Sequence, residues 1–197
     1  MKILKNVFVS ILIIFFFINN SWSKSASEFI SSLSIEASNI LSSKLSDDEK
    51  IIRLKEIGEQ SVDIKGVGLY TLGKYRKTLT DNQKEQYEKL FKDYFLKSFS
   101  GRLVSYTDAK IAVLSEEIKN EKYTIVYSKL IGTSDRPEVK IDWRVYTKDP
   151  QNPLIRDLVI EGLSLARTQK EEFNSIIANN DGNIEALFEN LNRFLEN

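Results

Sequence analysis

The spacing of apolar residues changes at Lys110, and this change limits the folds open to the chain. On either side of the middle region, apolar residues recur at three- and four-residue steps, the period of an amphipathic helix. In between they alternate with polar residues, as in "YTIVYS" and "VKIDWRV", the period of a half-buried strand. The order predicts an α+β fold: one mostly antiparallel, curved sheet of about four strands, wrapped by helices from both termini.

Three capping boxes mark the starts of predicted helices, because each pairs a Ser or Thr with an acidic or amide residue three positions later. They begin at Ser46, Thr80 and Thr168. Another helix is predicted from Ala26 to Leu41, and the helix after Ser46 is expected to stop near Gly58. The last strand, Ile155 to Leu163, is apolar on both faces and is therefore predicted to sit centrally in the sheet.

The helix after Thr80 carries a stripe of large, mostly aromatic side chains at helical spacing. Its members are Tyr87, Leu90, Phe91, Tyr94, Phe95 and Phe99. Two interpretations stay open: the stripe packs into an ordinary core, or it forms one wall of a ligand cavity.

The first residues have the pattern of a secretory signal peptide. Lys2 and Lys5 precede a run of twelve apolar or nearly apolar positions, residues 7–18, and Ser21-Trp22-Ser23 offers small residues for cleavage. A membrane anchor is the alternative, but the run is shorter than the ~20 residues that span a bilayer. We therefore predict cleavage after Ser23 and a single domain over residues 24–197.

The composition excludes several classes of function. The chain has 28 basic and 28 acidic residues, so it lacks the charge excess that is typical of nucleic-acid binding or of adhesion to anionic membranes. It has no histidine and no cysteine, which removes the commonest metal ligands, the commonest general base and all thiol chemistry. No metal, cofactor or nucleic-acid partner is predicted.

Asp157 and Glu161 are the carboxylates most open to a catalytic interpretation, since they lie in the apolar stretch "LIRDLVIEGLSLA". On a strand they would stand about 13 Å apart at ~3.3 Å per residue. Paired glycosidase carboxylates are closer, at ~5 to 9.5 Å. Two alternatives remain: one of them is the general base of a small-molecule enzyme on a cone-shaped α+β fold, or both are fold residues bonded to backbone amides, Arg144 or Arg156.

A small basic cluster, Lys74, Arg76 and Lys77, precedes the aromatic helix. It is either an ordinary solvated face or a contact for a phosphate headgroup or an acidic partner.

The stretch "LYTLGKYRKTLTDNQKEQYEKLFKDYFLKSFSGRL" resembles the MlaC-type, toluene-tolerance family of periplasmic phospholipid-binding proteins. Leu72-Gly73-Lys74-Tyr75 is similar to the family's Leu-Gly-basic-Tyr turn, although Arg76 stands where the family commonly has Trp. "VKIDWRVY" resembles a paired core strand of the family, and residues 157–165 its strand-to-helix junction. The order and spacing hold from about Asp63 to Leu191.

The resemblance implies a carrier without enzymatic activity that binds a phospholipid in an apolar cavity between the sheet and the aromatic helix. It implies a periplasmic, monomeric auxiliary component of an ABC transport system, which docks transiently on inner-membrane and outer-membrane components and maintains outer-membrane lipid asymmetry. The expected lining residues are Leu90, Tyr94, Ile125, Tyr127, Trp143, Val145 and Val159. A third hypothesis, an envelope interaction protein with a filled core, predicts no bound lipid.

Overall fold

The computed structural model describes residues 25–107, 109–133 and 136–197, so the predicted signal peptide, residues 1–23, lies outside the described residues. The α+β prediction is confirmed, with helices before and after one run of strands. The elements are α1 (Ala26–Leu41), α2 (Asp47–Ser61), α3 (Ile64–Thr71), a 3-10 helix (Gly73–Lys77), α4 (Asp81–Leu103), β1 (Ile111–Asn120), β2 (Tyr123–Leu130), β3 (Val139–Tyr146), β4 (Leu154–Ile160), β5 (Leu163–Ser164), α5 (Leu165–Ala178) and α6 (Glu185–Glu196).

Two of the three predicted capping boxes are confirmed. Ser46 and Thr80 each accept a hydrogen bond from the backbone N–H three residues on, and Glu49 and Gln83 accept one from the capping residue's N–H. The prediction that α2 stops near Gly58 is wrong, since the helix continues to Ser61. The glycine instead allows close packing, because a Cβ there would lie 3.2 Å from the ring of Phe99.

The prediction that a helix starts at the third capping box, Thr168, is wrong. Helix α5 begins three residues before Thr168, at Leu165, with Ser164 as its N-cap. The Ser164 hydroxyl accepts from the backbone N–H of Arg167 at 3.1 Å. The same hydroxyl donates to the buried carboxylate of Asp157 at 2.6 Å. A contact with strand β4, through Asp157 seven residues before Ser164, therefore fixes the first turn of α5, and the capping-box pattern does not contain that information.

The sheet is an open antiparallel meander with the strand order β1-β2-β3-β4-β5. The strand predicted from Ile155 to Leu163 is interrupted at Glu161 and Gly162, whose φ angles are 48° and 83°. The turn folds the two residues of β5 back onto β4. The last long strand therefore does not lie centrally in the sheet, as its apolar composition predicted, but next to its end.

Strand register defines two faces of the sheet, because residues directly opposite on antiparallel strands point to the same side. Val126 lies opposite Trp143, which lies opposite Leu158, so these three share a face. Helix α1 packs on that face through Ala26 and Ile30, and we call it the inner face. Ile125 is on the other side between Glu117 and Arg144, and we call that side the outer face.

The remaining helices form a separate core, which we call the helical cluster. Helix α4 packs on α2, α3 and α6, and α3 packs on α5. Its buried members are Val67, Leu72, Leu79, Tyr87, Phe91, Ala166, Phe173, Ile177, Ile184, Leu187, Phe188 and Leu191. This cluster meets the sheet at strand β4, where Val62, before α3, forms a parallel bridge with Ile155.

Candidate functional site

The inner face of the sheet is apolar along most of its length but unevenly covered. Under the start of α1 its side chains are fully buried, with Val126 and Val145 at 0 % exposure. Six apolar residues that pack around this buried part are only half-buried: Phe29, Leu33, Ile111, Val113, Ile141 and Leu158. Apolar side chains that remain partly accessible beside a core offer a surface on which an apolar ligand gains burial.

Coverage decreases toward one end of the inner face, where β2 leads into the loop before β3. Cross-strand pairing groups six apolar residues there, and we call this group the open end: Ile111, Leu130, Val139, Ile141, Ile160 and Leu163. The first five are half-buried, and Leu163 is 59 % exposed. The inner face thus runs from closed core to accessible apolar surface within one sheet.

Trp143 is held on the inner face by a short chain of hydrogen bonds. Its indole Nε1 donates to the hydroxyl of Ser128 at 2.9 Å. That hydroxyl in turn donates to the backbone carbonyl of Ile141 at 2.8 Å. The polar atoms of this buried pair are therefore satisfied, and the indole presents its ring to the apolar face in one orientation.

The seven predicted lining residues lie in three places. Trp143 and Val145 are together on the inner face. The other strand residues, Ile125, Tyr127 and Val159, alternate with inner-face positions and therefore lie on the outer face. Leu90 and Tyr94 are half-buried against the helical cluster. The structure brings only the first pair onto one apolar surface, and whether any of the seven contacts a lipid stays a prediction.

The outer face around Tyr127 and Ile125 is polar. The phenol of Tyr127 donates to Glu117 Oε2 at 2.7 Å, and this hydrogen bond raises the pKa of the Tyr127 hydroxyl. Hydrogen bonds from Lys119 and Tyr127 lower the pKa of the Glu117 carboxyl. These polar contacts are typical of a solvated sheet face.

Tyr94 belongs to the aromatic packing of the helical cluster. Its ring centroid is 5.7 Å from that of Phe173 and 4.8 Å from that of Phe194. Burial raises the pKa of the Tyr94 hydroxyl, which donates to Gln169 at 2.9 Å. The first part of the aromatic stripe, Tyr87 and Phe91, is almost fully buried, which fits the core interpretation.

The contacts of Asp157 are those of a residue that stabilises the fold. Its carboxylate accepts from Arg144 Nη1 at 3.1 Å, from the Ser164 hydroxyl at 2.6 Å and from the backbone N–H of Ala166 at 3.0 Å. The side chain is on the outer face, opposite Arg144. Three donors occupy the carboxylate, so it joins β4 to the first turn of α5.

Glu161 lies apart from Asp157, in the turn between β4 and β5, and its carboxylate accepts from the backbone N–H of Lys140 at 2.5 Å. The expectation of bonds to Arg144 and to backbone amides is thus confirmed for these two carboxylates. Among residues 25–107, 109–133 and 136–197, no group of three or more acidic side chains is placed to hold a metal ion.

A family model described as "MlaC protein" matches residues 32–193 of the chain. The chain belongs to the MlaC family. Its fold is similar to that of a phospholipid-binding protein from Ralstonia solanacearum solved in complex with a phospholipid, with a TM-score of 0.73 and 18 % sequence identity. The match covers 88 % of this chain and 98 % of the Ralstonia protein.

Several residues of this MlaC family member were missed by the sequence reasoning although they complete its apolar surface. Ile141 is two positions before Trp143 and so shares its face, while Leu158 lies directly opposite Trp143 on β4. Strand alternation could have identified Ile141. The pairing partner Leu158 and the contribution of Leu33 from α1 depend on register and helix docking, which the sequence does not specify.

A groove of about 480 Å³ lies between α1 and α2, away from the inner face. Its walls mix polar and apolar side chains, including Glu36, Arg53 and the 60 %-exposed Ile35.

Helices within the described ranges are too short or too polar to cross a membrane.

Proposed function

We propose that this protein binds a phospholipid with its acyl chains on the inner face of the sheet and carries it between membranes. The observation that carries the proposal is the graded inner face, which is closed under α1 and accessible at the open end. Membership of the MlaC family and the similarity to a phospholipid-bound structure support it. No chemical step is required of the protein.

The energetics of a carrier fit such a surface. A two-tailed lipid buries on the order of 30 methylenes, and each contributes ~0.8 kcal/mol relative to water. The total exceeds the binding free energy of any non-covalent complex. A bilayer buries the same tails, so the carrier competes with the membrane. The net free energy of moving a lipid from the bilayer to the carrier therefore lies near zero. The protein therefore needs to supply only apolar area comparable to that of the bilayer, with the headgroup left at the accessible end.

The proposal includes the location and the partners. Export by the segment 1–23, with cleavage after Ser23, would place a monomeric domain in the periplasm. There it would serve an ABC-type system that moves phospholipid and maintains outer-membrane lipid asymmetry, docking transiently on inner-membrane and outer-membrane components. Family membership supports this assignment.

We propose Trp143 as a lining residue and add Ile141, Leu158 and Leu33, which pack around the same buried part of the inner face. Val145 is 0 % exposed, and we expect it to act through the closed core beneath α1. Ile125, Tyr127 and Val159 are on the outer face, and we expect them to affect lipid retention little. Leu90 and Tyr94 are expected to act through the stability of the helical cluster rather than through contact with the tails.

The enzyme hypothesis is the weaker alternative. A general base needs a carboxylate oxygen available to substrate, within hydrogen-bond reach of the proton it removes. The Asp157 carboxylate accepts from three donors of the protein itself, and that of Glu161 holds the exposed β4–β5 turn. Neither carboxylate is on the apolar inner face, so both are better explained as fold residues.

Two isoleucines on neighbouring strands allow a matched test. Ile141 and Ile125 are both half-buried, but Ile141 is on the inner face and Ile125 on the outer face. We would purify wild type, Ile141→Asn and Ile125→Asn from the periplasm of a host without detergent, and measure bound lipid by native mass spectrometry and organic extraction. Circular dichroism would verify that each variant is folded.

Wild type and Ile125→Asn are expected to carry phospholipid, whereas Ile141→Asn should lose most of it, because the new amide lies among the tails without a partner. Equal retention by both variants would contradict the inner face as the site. A wild type that is free of lipid, and stays so after incubation with lipid vesicles, would overturn the carrier function and favour a protein with a filled core.

A further inference from the structure

The basic cluster found in the sequence is enlarged in three dimensions. Lys74, Arg76 and Lys77 are exposed on the 3-10 helix. Lys170 of α5 joins them, because a Cβ on Gly73 would lie 3.0 Å from its Cε. We call these four residues the basic patch. From residue 64 to residue 80 the chain also has no acidic residue.

The cations of the basic patch form no close ion pairs with described carboxylates. None of the four forms an ion pair with a carboxylate of the described residues, whereas eight other basic side chains of the described ranges do. Two of them lie over tyrosine rings instead, with Lys170 Nζ 5.1 Å from the ring centroid of Tyr70 and Lys74 Nζ 5.0 Å from that of Tyr75. A cation over a ring keeps its full charge.

The patch is also held in place by the fold. Asn174 of α5 donates to the backbone carbonyl of Thr71 at 2.8 Å and so ties the end of α3 to α5. Gly73 begins the 3-10 helix with a φ of 56°, a conformation that favours glycine and permits the close approach of Lys170. The four basic residues therefore lie close to one junction, where the end of α3, the 3-10 helix and α5 are joined.

We propose that the basic patch binds the surface of a bilayer that contains anionic phospholipids. The exposed side chain of Tyr70, 42 % accessible, adds an amphipathic ring of the kind that favours membrane–water interfaces. The chain as a whole has equal numbers of basic and acidic residues, so attraction to an anionic surface would come from this local grouping and not from net charge.

The test is binding to vesicles by the full mature domain, with and without the patch. The patch variant is Lys74→Glu with Arg76→Glu and Lys77→Glu. The matched control is Lys44→Glu with Lys89→Glu and Lys122→Glu, three exposed lysines that are far apart in the sequence and give the same change in net charge. Binding is measured by co-sedimentation with phosphatidylcholine vesicles with and without phosphatidylglycerol, at low and high salt.

Wild type and the control variant are expected to bind the vesicles with phosphatidylglycerol and to be released by salt, whereas the patch variant binds on the order of a hundredfold more weakly. Equal binding by the two variants, or no preference of wild type for the anionic vesicles, would overturn the proposal. Wild-type binding to an acidic polypeptide but not to vesicles would also overturn it, in favour of a protein partner.

This inference is separable from the carrier function. Retained phospholipid is measured on the same patch variant by native mass spectrometry. If the patch variant loses vesicle binding but retains phospholipid normally, the result supports the basic patch independently of the carrier function. If Ile141→Asn loses phospholipid but binds vesicles normally, the result concerns the inner face alone. A patch variant that is not folded by circular dichroism is replaced by the corresponding glutamine variant, for which the same loss of binding is expected.

Discussion

The two apolar regions of the molecule differ in the share of their side chains that is buried, which is larger in the helical cluster than on the inner face of the sheet. In the helical cluster the rings are packed against one another, and the ring centroid of Phe91 is 5.7 Å from that of Tyr87 and 6.2 Å from that of Phe173. On the inner face of the sheet, buried Val126 and Val145 give way to the partly accessible side chains of the open end. A similar composition thus forms a core in one place and an incomplete core in the other.

The two regions are expected to contribute differently to stability and to binding. A more completely buried cluster lowers the free energy of folding and leaves less apolar area for a ligand. An incomplete one leaves apolar area in contact with water, which costs stability in the free protein and is recovered when a ligand covers it. We therefore expect changes in the helical cluster to affect unfolding, and changes on the inner face to affect cargo.

The largest effect is expected for Phe173→Ala in the helical cluster. The side chain is 1 % exposed and contacts the rings of Phe91 and Tyr94. Removing a buried phenyl ring leaves a cavity and typically costs about 3 to 5 kcal/mol. Urea unfolding followed by circular dichroism should show this loss, while the molecules that remain folded keep the lipid content of wild type.

The control is Phe194→Ala, which also removes a ring in contact with Tyr94 but from a site that is 39 % exposed. Its effect should be clearly smaller, because much of that ring is already in water. If Phe173→Ala abolished lipid binding with little loss of stability, the helical cluster would itself be the lipid site. The inner face of the sheet would then be the region that mainly provides stability.

The sequence predicts most of the fold because the decisive signals are local. Capping at Ser46 and Thr80 and the alternation in β2 and β3 are properties of a few neighbouring residues. The predictions failed where a contact between two elements decides the outcome. Helix α5 begins early because Asp157 fixes Ser164 and Ala166, and β4 is cut short by a turn at Glu161 that Lys140 holds.

The candidate site was predictable only in part, for a related reason. Alternation groups Trp143 with Val145 from sequence alone, but the face on which β2 places Ile125 and Tyr127 depends on register with β3. A partly accessible apolar residue and a buried one also have the same appearance in the sequence. Burial, which separates Ile141 from Val145, is a property of the packed molecule.

A smaller effect is expected for Asp157→Asn, at the junction between the two regions. The amide removes the charge and replaces one acceptor oxygen with a donor that faces Arg144, Ser164 or Ala166. Loss of charge-assisted hydrogen bonds should cost about 2 kcal/mol. Hydrogen exchange should locate the change in the first turn of α5, where the amide of Ala166 loses protection.

Glu161→Gln is the matched control for that junction, because it makes the same chemical change at a second carboxylate, which lies apart from Asp157 in an exposed turn. It should change stability by no more than about 0.5 kcal/mol. If Asp157→Asn left the stability unchanged, the carboxylate would not join the two regions. The hypothesis that Asp157 is a general base would then be favoured again.

The smallest effect, and one of opposite sign, is expected for Ser34→Ala on the inner side of α1. The Ser34 hydroxyl is buried without a hydrogen-bond partner among the described residues, near Ile30 and Leu33 of the same helix. Alanine removes the unsatisfied oxygen and favours the helix, so the variant should be about 0.5 to 1 kcal/mol more stable. Ser32→Ala, exposed on the same helix, measures the helix-propensity part alone. If Ser34→Ala instead lowered lipid retention, the hydroxyl would have its partner in the cargo, and the binding surface would extend from the open end along α1.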